Sequence, residues 1–407
     1  MNINTTNSKQ SGVASLFVVV FFTILISIIV ISFVTIVSQD RQQALNNDLS
    51  SSAYDSAQVG VEDGKRGLEL YYQKCVRIAN PSSNPECSAT DLTTGIFRGP
   101  EGALIGDTCD QFKKKLGNRL DLNTNDASSE VKITTDDADE ALNQAYTCLK
   151  VKLNTPDYKA ALNNNERSII PLKAINGGQP QSIKLNWYIK LSNYTPEVPD
   201  TTTDFDLPVS GSNWGANKPP MMEVQVIGVP KSGSFSVDEI DDNARTVFLY
   251  PSTNGSSTIN LTSADATKYS RKNNPVAAKC DPDANQYACS ALISGLTPGD
   301  SSVYNYYVRI MPIYNNTDMQ LSMYSSTAGT GDPLIFDGVN PEIDSTGRTN
   351  DVFRRVVTRV SFKDDKNGLD VSQGVCKAFQ LADGDRYYSS DSACTFSSGG
   401  TTIDLVD

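Results

Sequence analysis

The feature that most constrains this chain is a run of twenty-five residues without a charge, at positions 13–37. Five of these residues are serine or threonine, and the rest are aliphatic, aromatic or alanine. As a helix the run would be about 37 Å long, which exceeds the ~30 Å thickness of a bilayer's hydrocarbon core. A secretory signal peptide has a shorter apolar region, of roughly 7–15 residues. The run is therefore predicted to be one membrane-spanning helix, preceded by a short leader at 1–12.

The residues after this run continue the pattern of a helix. Positions 39–78 contain no proline, and their apolar residues recur mostly three, four or seven apart, which predicts one narrow apolar stripe. Its middle consists of small residues, including Ala53, Ala57 and Gly60, where another backbone can approach closely. Pro81 ends this extension, which is predicted at 38–80. Two interpretations remain open: one continuous rod of about 65 residues, or an anchor followed by a separate stalk helix.

The rest of the chain changes from loops to strands. Residues 81–182 are predicted to be a loop-rich region that contains cysteines and short helices at 107–116 and 136–151. Residues 183–407 are predicted to be a β-rich head domain, because apolar and polar residues alternate there with the period of a strand. The predicted strands are 183–191, 222–229, 246–250, 303–313, 319–324, 352–362 and 374–381. These patterns predict an α+β fold, in which a long N-terminal helix packs on a mostly antiparallel sheet or sandwich.

One long connection within the head is predicted to be an exposed loop. Residues 193–220 contain five prolines and show no helical periodicity. Loops of this length in compact domains commonly carry function, so the segment is a candidate for recognition.

Eight cysteines all follow the apolar run and none forms a Cys-x-x-Cys pair. An even count of this kind is typical of an exported, disulfide-bonded region and gives no support for a zinc ribbon. The short loops Cys280–Cys289 and Cys376–Cys394 are the natural local pairs. Cys75–Cys87 with Cys109–Cys148 is the simplest pairing of the other four, although three connectivities are open.

The composition argues against catalysis and against nucleic-acid binding. The chain has no histidine, which excludes Ser-His-Asp and Cys-His machinery and histidine metal sites. The net charge of −12 opposes binding to phosphate backbones. No enzyme activity, catalytic residue or cofactor is predicted, and no nucleic acid is expected as a partner.

Two acidic loops are weak candidates for calcium. Asp281, Asp283 and Asn285 place oxygen ligands at alternating positions, as the start of an EF-hand loop does. Gln286 and Leu292 stand where that motif needs glycine and glutamate. The second loop, at 364–370, could likewise hold calcium, but a glycine-containing turn between strands is its ordinary explanation.

Several segments resemble the N-terminal region of type IV pilins, in particular the PilX-type minor pilins. The resemblance is carried by residues 11–20, the apolar run, and residues 40–44 and 52–63, and more weakly by a late strand at 344–360. It implies a pilin-like fold and a prepilin-like leader that prepilin peptidase cleaves between Gly12 and Val13. It also implies that Phe17, Ala53, Ala57 and Gly60 lie at positions of pilin packing.

Phe17 departs from the pattern of the family. In major pilins the fifth residue of the mature chain is a glutamate, which neutralises the N-terminal amine of a neighbouring subunit. A carboxylate in hydrocarbon needs such a partner, so its replacement by Phe17 removes a strong contact along a filament shaft. The departure fits a subunit at the tip, one that primes assembly or a scarce component. It also fits a degenerate anchor that never enters a filament.

The resemblance implies a minor pilin-like subunit of a type IV pilus or related pseudopilus, with an exposed head for surface interaction or adhesion. Its expected partners are other pilin subunits, the pilus assembly platform, prepilin peptidase, the lipid bilayer and an unknown surface ligand. Its expected location is the cytoplasmic membrane, with one span and an extracytoplasmic head, or the pilus and cell surface. The alternative is a membrane-tethered surface binding protein that does not polymerise.

Overall fold

The fold is known from a computed structural model. It describes residues 11–76, 87, 109, 112, 116–117, 120–122, 130–133, 143–189, 195–208, 213–231, 244–261, 275–296, 304–360, 397–398 and 401–402. The chain divides into two compact units. The first comprises Met1–Gly60, Asn123–Cys148 and Ser345–Val356, and the second Val61–Leu122, Leu149–Asp344 and Val357–Asp407.

The predicted rod is one uninterrupted helix. Helix α1 spans Ser11–Tyr71, and a π-helical turn at Tyr72–Val76 follows it directly. The alternative of an anchor followed by a separate stalk helix is therefore wrong. The helix continues because residues 11–76 contain no proline, and Gly60, Gly64 and Gly67 lie where the helix packs closely.

The β-rich head, on which α1 packs, contains sixteen strands among the described residues. They are β1 Val131–Lys132, β2 Gln144–Lys152, β3 Tyr158–Leu162, β4 Ser168–Pro171, β5 Ser182–Ile189, β6 Met221–Pro230, β7 Ala244–Ser252, β8 Thr258–Asn260, β9 Val276–Lys279, β10 Tyr287–Ser294, β11 Tyr304–Ile313, β12 Thr317–Tyr324, β13 Glu342–Thr349, β14 Val352–Arg359, β15 Ser397–Ser398 and β16 Thr401–Thr402. The predicted α+β class is confirmed. Six of the seven predicted strands correspond to β5, β6, β7, β11, β12 and β14, and the seventh, at 374–381, lies outside the described residues.

The predicted helix at 136–151 is wrong where the structure describes it. Residues 144–151 belong to strand β2, which pairs antiparallel with β1. Ala145, Leu149 and Val151 are buried, and this burial within a sheet outweighs the helix signal of the acidic residues upstream. Strands β1 to β4 precede residue 183, so the β-rich region begins earlier than predicted. Of the other predicted helix, at 107–116, the described residues Cys109, Phe112 and Leu116 are helical.

The second unit contains two five-stranded sheets that share one core. Their strand orders are β3-β12-β5-β10-β8 and β4-β11-β6-β7-β9. Most neighbours are antiparallel, but β8 runs parallel to β10 and β9 runs parallel to β7, so both sheets are mixed. The core between the sheets is built from inward-facing residues such as Trp187, Leu321, Val224 and Ile310, which are all fully buried. Because apolar and polar residues alternate over 183–187 of β5 and 222–226 of β6, this period-two pattern was readable in the sequence.

The structure contains disulfide bonds, as expected for an exported region. Cys280 is bonded to Cys289, the predicted local pair, and this bond links residues next to β9 and in β10. Cys75 at the end of the helix is bonded to Cys87. Cys109 and Cys148 are also disulfide-bonded. Cys376 and Cys394 lie outside the described residues.

Candidate functional site

The N-terminal half of α1 presents an apolar surface on all sides. The large apolar side chains from Leu16 to Ile36 are between 40 and 69% exposed, and none of the most apolar window is buried. The helix is thus long and apolar enough to span a membrane. Residues 16–37 alone give about 33 Å of helix, which matches the thickness of a hydrocarbon core.

Three hydroxyl groups of this half are satisfied within the helix itself. Thr23 Oγ1 donates to Val20 O over 2.8 Å, and Ser27 Oγ donates to Thr23 O over 2.8 Å. Thr35 Oγ1 donates to Ile31 O over 2.9 Å. A hydroxyl without a partner costs free energy in hydrocarbon, so these internal bonds make the half-helix compatible with lipid.

In the first unit, the C-terminal half of α1 packs on β13 at a set of small residues that we call the seam: Ala53, Ala57 and Gly60 of α1 with Ser345 and Gly347 of β13. Ala53 and Ala57 are fully buried. A Cβ at Gly60 would overlap Ser345 Oγ, and a Cβ at Gly347 would overlap the backbone of Ala53 and Ala57. The seam thus depends on residues that have little or no side chain. The three helix residues are those that the sequence singled out for packing.

The second unit continues this close packing. A Cβ at Gly64 would lie 2.8 Å from Ile343 Cγ2, and one at Gly67 would lie 2.7 Å from Phe112 Cζ. At the end of the helix, the hydroxyl of Tyr72 donates to Gly338 O over 2.8 Å. Burial raises the pKa of Tyr72 well above its usual range. These contacts fix the last turns of α1 to the second unit.

Two buried hydroxyls on the helix-facing side of β13 make no hydrogen bond. Ser345 Oγ and Thr349 Oγ1 are both shielded from solvent, and both residues are fully buried. An unsatisfied buried hydroxyl costs roughly 1–3 kcal/mol. Both hydroxyls therefore lower the stability of this packed face of β13.

The predicted loop at 193–220 covers part of the second sheet of the sandwich. We call its described residues, 195–208 and 213–220, the strap. Trp214 is buried and stacks on Tyr314, with ring centroids 4.3 Å apart, and it meets Tyr250 edge-on at 5.6 Å. The strap is thus a packed element rather than a free flap.

Lys218, itself a strap residue, contacts two aromatic side chains. Its ammonium lies 3.7 Å from the centroid of the Trp214 ring and 3.1 Å from the Tyr250 hydroxyl. Burial lowers the pKa of Lys218, and the nearby charge of Asp206 opposes this shift. Asn315 Nδ2 adds two bonds of 2.8 Å, to the carbonyl oxygens of Gly215 and Lys218. The contacts of Lys218 with Trp214, Tyr250 and Asn315 were not predicted, because these residues come from separate segments of the chain. The sequence signal nearest to them was the unusual length of the loop at 193–220.

The other candidate residues lie apart from these features. Phe17 is 69% exposed on the apolar half-helix, and Gly12 and Val13 lie in the first turn of α1. Asp281 caps a turn between β9 and β10, since its Oδ1 accepts the N–H of Asp283 over 2.9 Å.

Neither candidate calcium loop gains support. Asp281, Asp283 and Asn285 belong to no group of three acidic, cysteine or histidine side chains that could hold a metal, and the described part of the chain contains no such group elsewhere. The loop at 364–370 lies outside the described residues.

Comparison with known proteins identifies no relative. No protein family, no curated protein and no solved structure matches this chain.

Proposed function

We propose that this chain is a membrane-anchored, minor pilin-like subunit that sits at the tip of a type IV pilus or related pseudopilus, or primes its assembly. The observation that carries the proposal is the division of a single helix into two halves. The N-terminal half is apolar and exposed, and the C-terminal half is fixed to a β-rich head through the seam. This arrangement suits a subunit whose helix is shared between a membrane and a filament core.

The proposed topology is one span with the head outside the cytoplasm. Lys9 precedes the apolar half and Arg41 follows it, so the cations beside the span are balanced and the proposed orientation rests on the cysteines. Disulfide-bonded cysteines after the span are consistent with an oxidising compartment. The expected partners are the lipid bilayer, prepilin peptidase, the assembly platform and other pilin subunits.

Phe17 supports the tip or priming position. An exposed aromatic side chain at this point cannot neutralise the N-terminal amine of a subunit above it, and a subunit with nothing above it has no such need. The head is also large, since about 330 of the 407 residues follow Val76, so crowding would disfavour dense packing along a shaft.

The strap is the part of the head that we assign to surface interaction. Leu207 is 42% exposed and neighbours Asp206 and Phe205 on the strap, where aromatic and acidic groups lie together at the surface.

A non-polymerising membrane tether is the second candidate, and Phe17 is the observation that favours it. Both functions use the same anchor and head, but only the first requires cleavage between Gly12 and Val13. Mass spectrometry of the N-terminal peptide separates them: a mature chain that starts at Val13 supports the pilin-like subunit, and retention of Met1 refutes it.

Immunogold labelling with antibody against the head tests the position of the subunit. Sparse label at filament ends supports the tip assignment, and dense label along the shaft refutes it. Label confined to the cell membrane, in cells that carry filaments, favours the tether.

A further inference from the structure

The disulfide bond between Cys280 and Cys289 joins the two sheets of the sandwich. Cys280 follows β9, the last strand in the order β4-β11-β6-β7-β9, and Cys289 lies in β10 of the other sheet. The two residues face each other in an antiparallel bridge, and both are fully buried. The N–H of Asp281 donates to Ala288 O over 2.6 Å beside this bond. The end of β9 is therefore fixed to the other sheet by a covalent bond.

Strand β9 depends on this bond more than β10 does. It has four residues and only β7 beside it in its sheet, whereas β10 lies between β5 and β8. Two thiols need more space than one disulfide, because sulfur atoms that are not bonded cannot approach each other as closely. Both cysteines are fully buried, so reduction would displace the strand with fewer neighbours, which is β9.

A turn at 252–256, directly after β7, rests on the end of β9. A Cβ at Gly255 would overlap the backbone carbonyl of Ala278, so the turn and the strand are in close contact. Two backbone hydrogen bonds of 2.9 Å join the turn to β9. The N–H of Cys280 donates to Ser252 O over 2.8 Å. The disulfide residue itself thus holds one end of this turn.

The same turn holds the first part of the strap, residues 195–200, which we call the first leg. The N–H of Thr253 donates to Pro199 O over 2.8 Å. Asn254 Nδ2 donates to Asp200 O over 2.9 Å. Contacts therefore run without a break from the disulfide through the turn to the first leg.

The rest of the strap, residues 213–220, which we call the second leg, has its own anchors. Trp214 and Lys218 hold it to aromatic side chains. One backbone bond of 3.0 Å, from Glu197 N to Asn217 O, joins it to the first leg. A change at the disulfide should thus loosen the first leg and leave the second leg in place.

We infer that the Cys280–Cys289 disulfide is a redox switch that decides whether the first leg of the strap is fixed. In the reduced head β9 and the turn are loose and the first leg has no fixed support, and oxidation fixes all three. The reaction is thiol–disulfide exchange with a disulfide-bearing oxidant. The two thiols lose two protons and two electrons as their sulfur–sulfur bond forms, and the disulfide of the oxidant takes them up to become two thiols.

The consequence is an order of events in which the strap becomes complete after export. Disulfides form in oxidising compartments and are rare in the cytoplasm, so a newly made chain carries the loose strap until its head has left the cytoplasm. This inference rests on the proposed function, because it takes the head to be exported and the strap to contact a surface.

The test is hydrogen exchange of the full chain in detergent micelles, read by mass spectrometry. Cys280→Ala with Cys289→Ala removes the switch. Cys75→Ala with Cys87→Ala is the matched control, because it removes a disulfide at the end of the helix instead. Exchange in β5 reports whether each variant keeps a folded sandwich.

The effect is expected to be confined to the segments that the disulfide supports. In the first variant, exchange of the turn and of residues 197–201 is expected to quicken about tenfold or more, because local opening no longer breaks a covalent tie. Exchange of the second leg and of β5 is expected to stay unchanged. The control variant is expected to leave both legs and the turn unchanged.

Two outcomes overturn the inference. One is unchanged exchange of the first leg in the variant that lacks the switch. The other is a uniform increase that includes β5 and the second leg, since the disulfide would then support the whole sandwich rather than one leg.

Graded reduction of the natural chain gives the same comparison if the double variant does not fold. Dithiothreitol reduces the chain in steps, and alkylation marks the cysteines that have become free. Exchange of the first leg should rise in proportion to the alkylated fraction of Cys280 and Cys289, and a rise without their alkylation overturns the inference. A chain that retains Met1 and never joins filaments refutes the pilin-like function instead, and the exchange remains readable because it requires only the folded head.

Discussion

Gly60 of α1 packs against Ser345 of β13 so closely that no side chain fits between them. A Cβ at position 60 would overlap Ser345 Oγ and lie 3.1 Å from Tyr146 Cγ. All three residues belong to the first unit. The helix thus contacts the head at a position where it has no side chain.

Gly60→Ala is expected to lower the free energy of unfolding by about 1–2 kcal/mol, since overpacking outweighs the better helix propensity of alanine. Adding Ser345→Ala removes the overlapping hydroxyl and should recover most of the loss. Chemical denaturation of the four members of this double-mutant cycle measures the coupling. Ser51→Ala, at an exposed position of the same helix, is the control. Additive effects of the two substitutions would show that the close contact does not limit stability.

Arg359 anchors the end of β14 in a buried ionic cluster of the second unit. Its Nη2 lies 2.8 Å from Asp157 Oδ1 and 2.9 Å from Glu342 Oε2. Its Nη1 donates to the carbonyl oxygens of Asp157 and Asn340 over 3.2 and 3.3 Å. Arg359→Met should destabilise the head by roughly 3 kcal/mol, because it leaves buried carboxylates without their main partner.

Arg359→Lys should rescue little of this loss, because lysine cannot reproduce the planar fork of donors. Lys173→Ala is the matched control, since its ion pair with Asp337 has a lysine side chain that is 68% exposed and contributes at most about 1 kcal/mol. Urea denaturation compares the three variants. Equal losses for Arg359→Met and Lys173→Ala would contradict the importance of the buried cluster.

Lys218→Met is expected to loosen the strap while the sandwich stays folded. The substitution removes the cation over Trp214 and the hydrogen bond to Tyr250, which are each worth about 1 kcal/mol. Hydrogen exchange of residues 213–219 should therefore quicken. Lys184→Met, at an exposed position of β5, should leave the exchange of the strap unchanged. Unchanged exchange in Lys218→Met would mean that the aromatic contacts alone hold the strap.

Tyr307 predicts a dependence of stability on alkaline pH. Burial raises its pKa from 10.0 to about 12, so in this range the unfolded chain loses the phenolic proton more readily than the folded chain does. The stabilising effect of the protonated phenol is complete below pH 10 and is lost as the pH rises toward 12. Tyr307→Phe should flatten the fall in stability between these values, measured by denaturation at a series of pH values. An identical slope in the variant would contradict this assignment.

The sequence by itself determined the anchor and the strands that alternate. Residues 13–37 lack charge, and apolar and polar residues alternate over 183–187 and 222–226, so local patterns were sufficient to recognise these elements. The helix positions of the seam were also visible, because small residues at helical spacing permit close approach.

Only the tertiary structure decided what those elements contact. Residues 144–152 became a strand because partners distant in sequence bury their side chains, and no local pattern carries that information. In the same way, Trp214, Lys218, Tyr250 and Tyr314 meet at the strap although a hundred residues separate the first from the last. Local propensity specifies an element through its neighbours in the chain, whereas packing depends on contacts that exist only once the chain has folded.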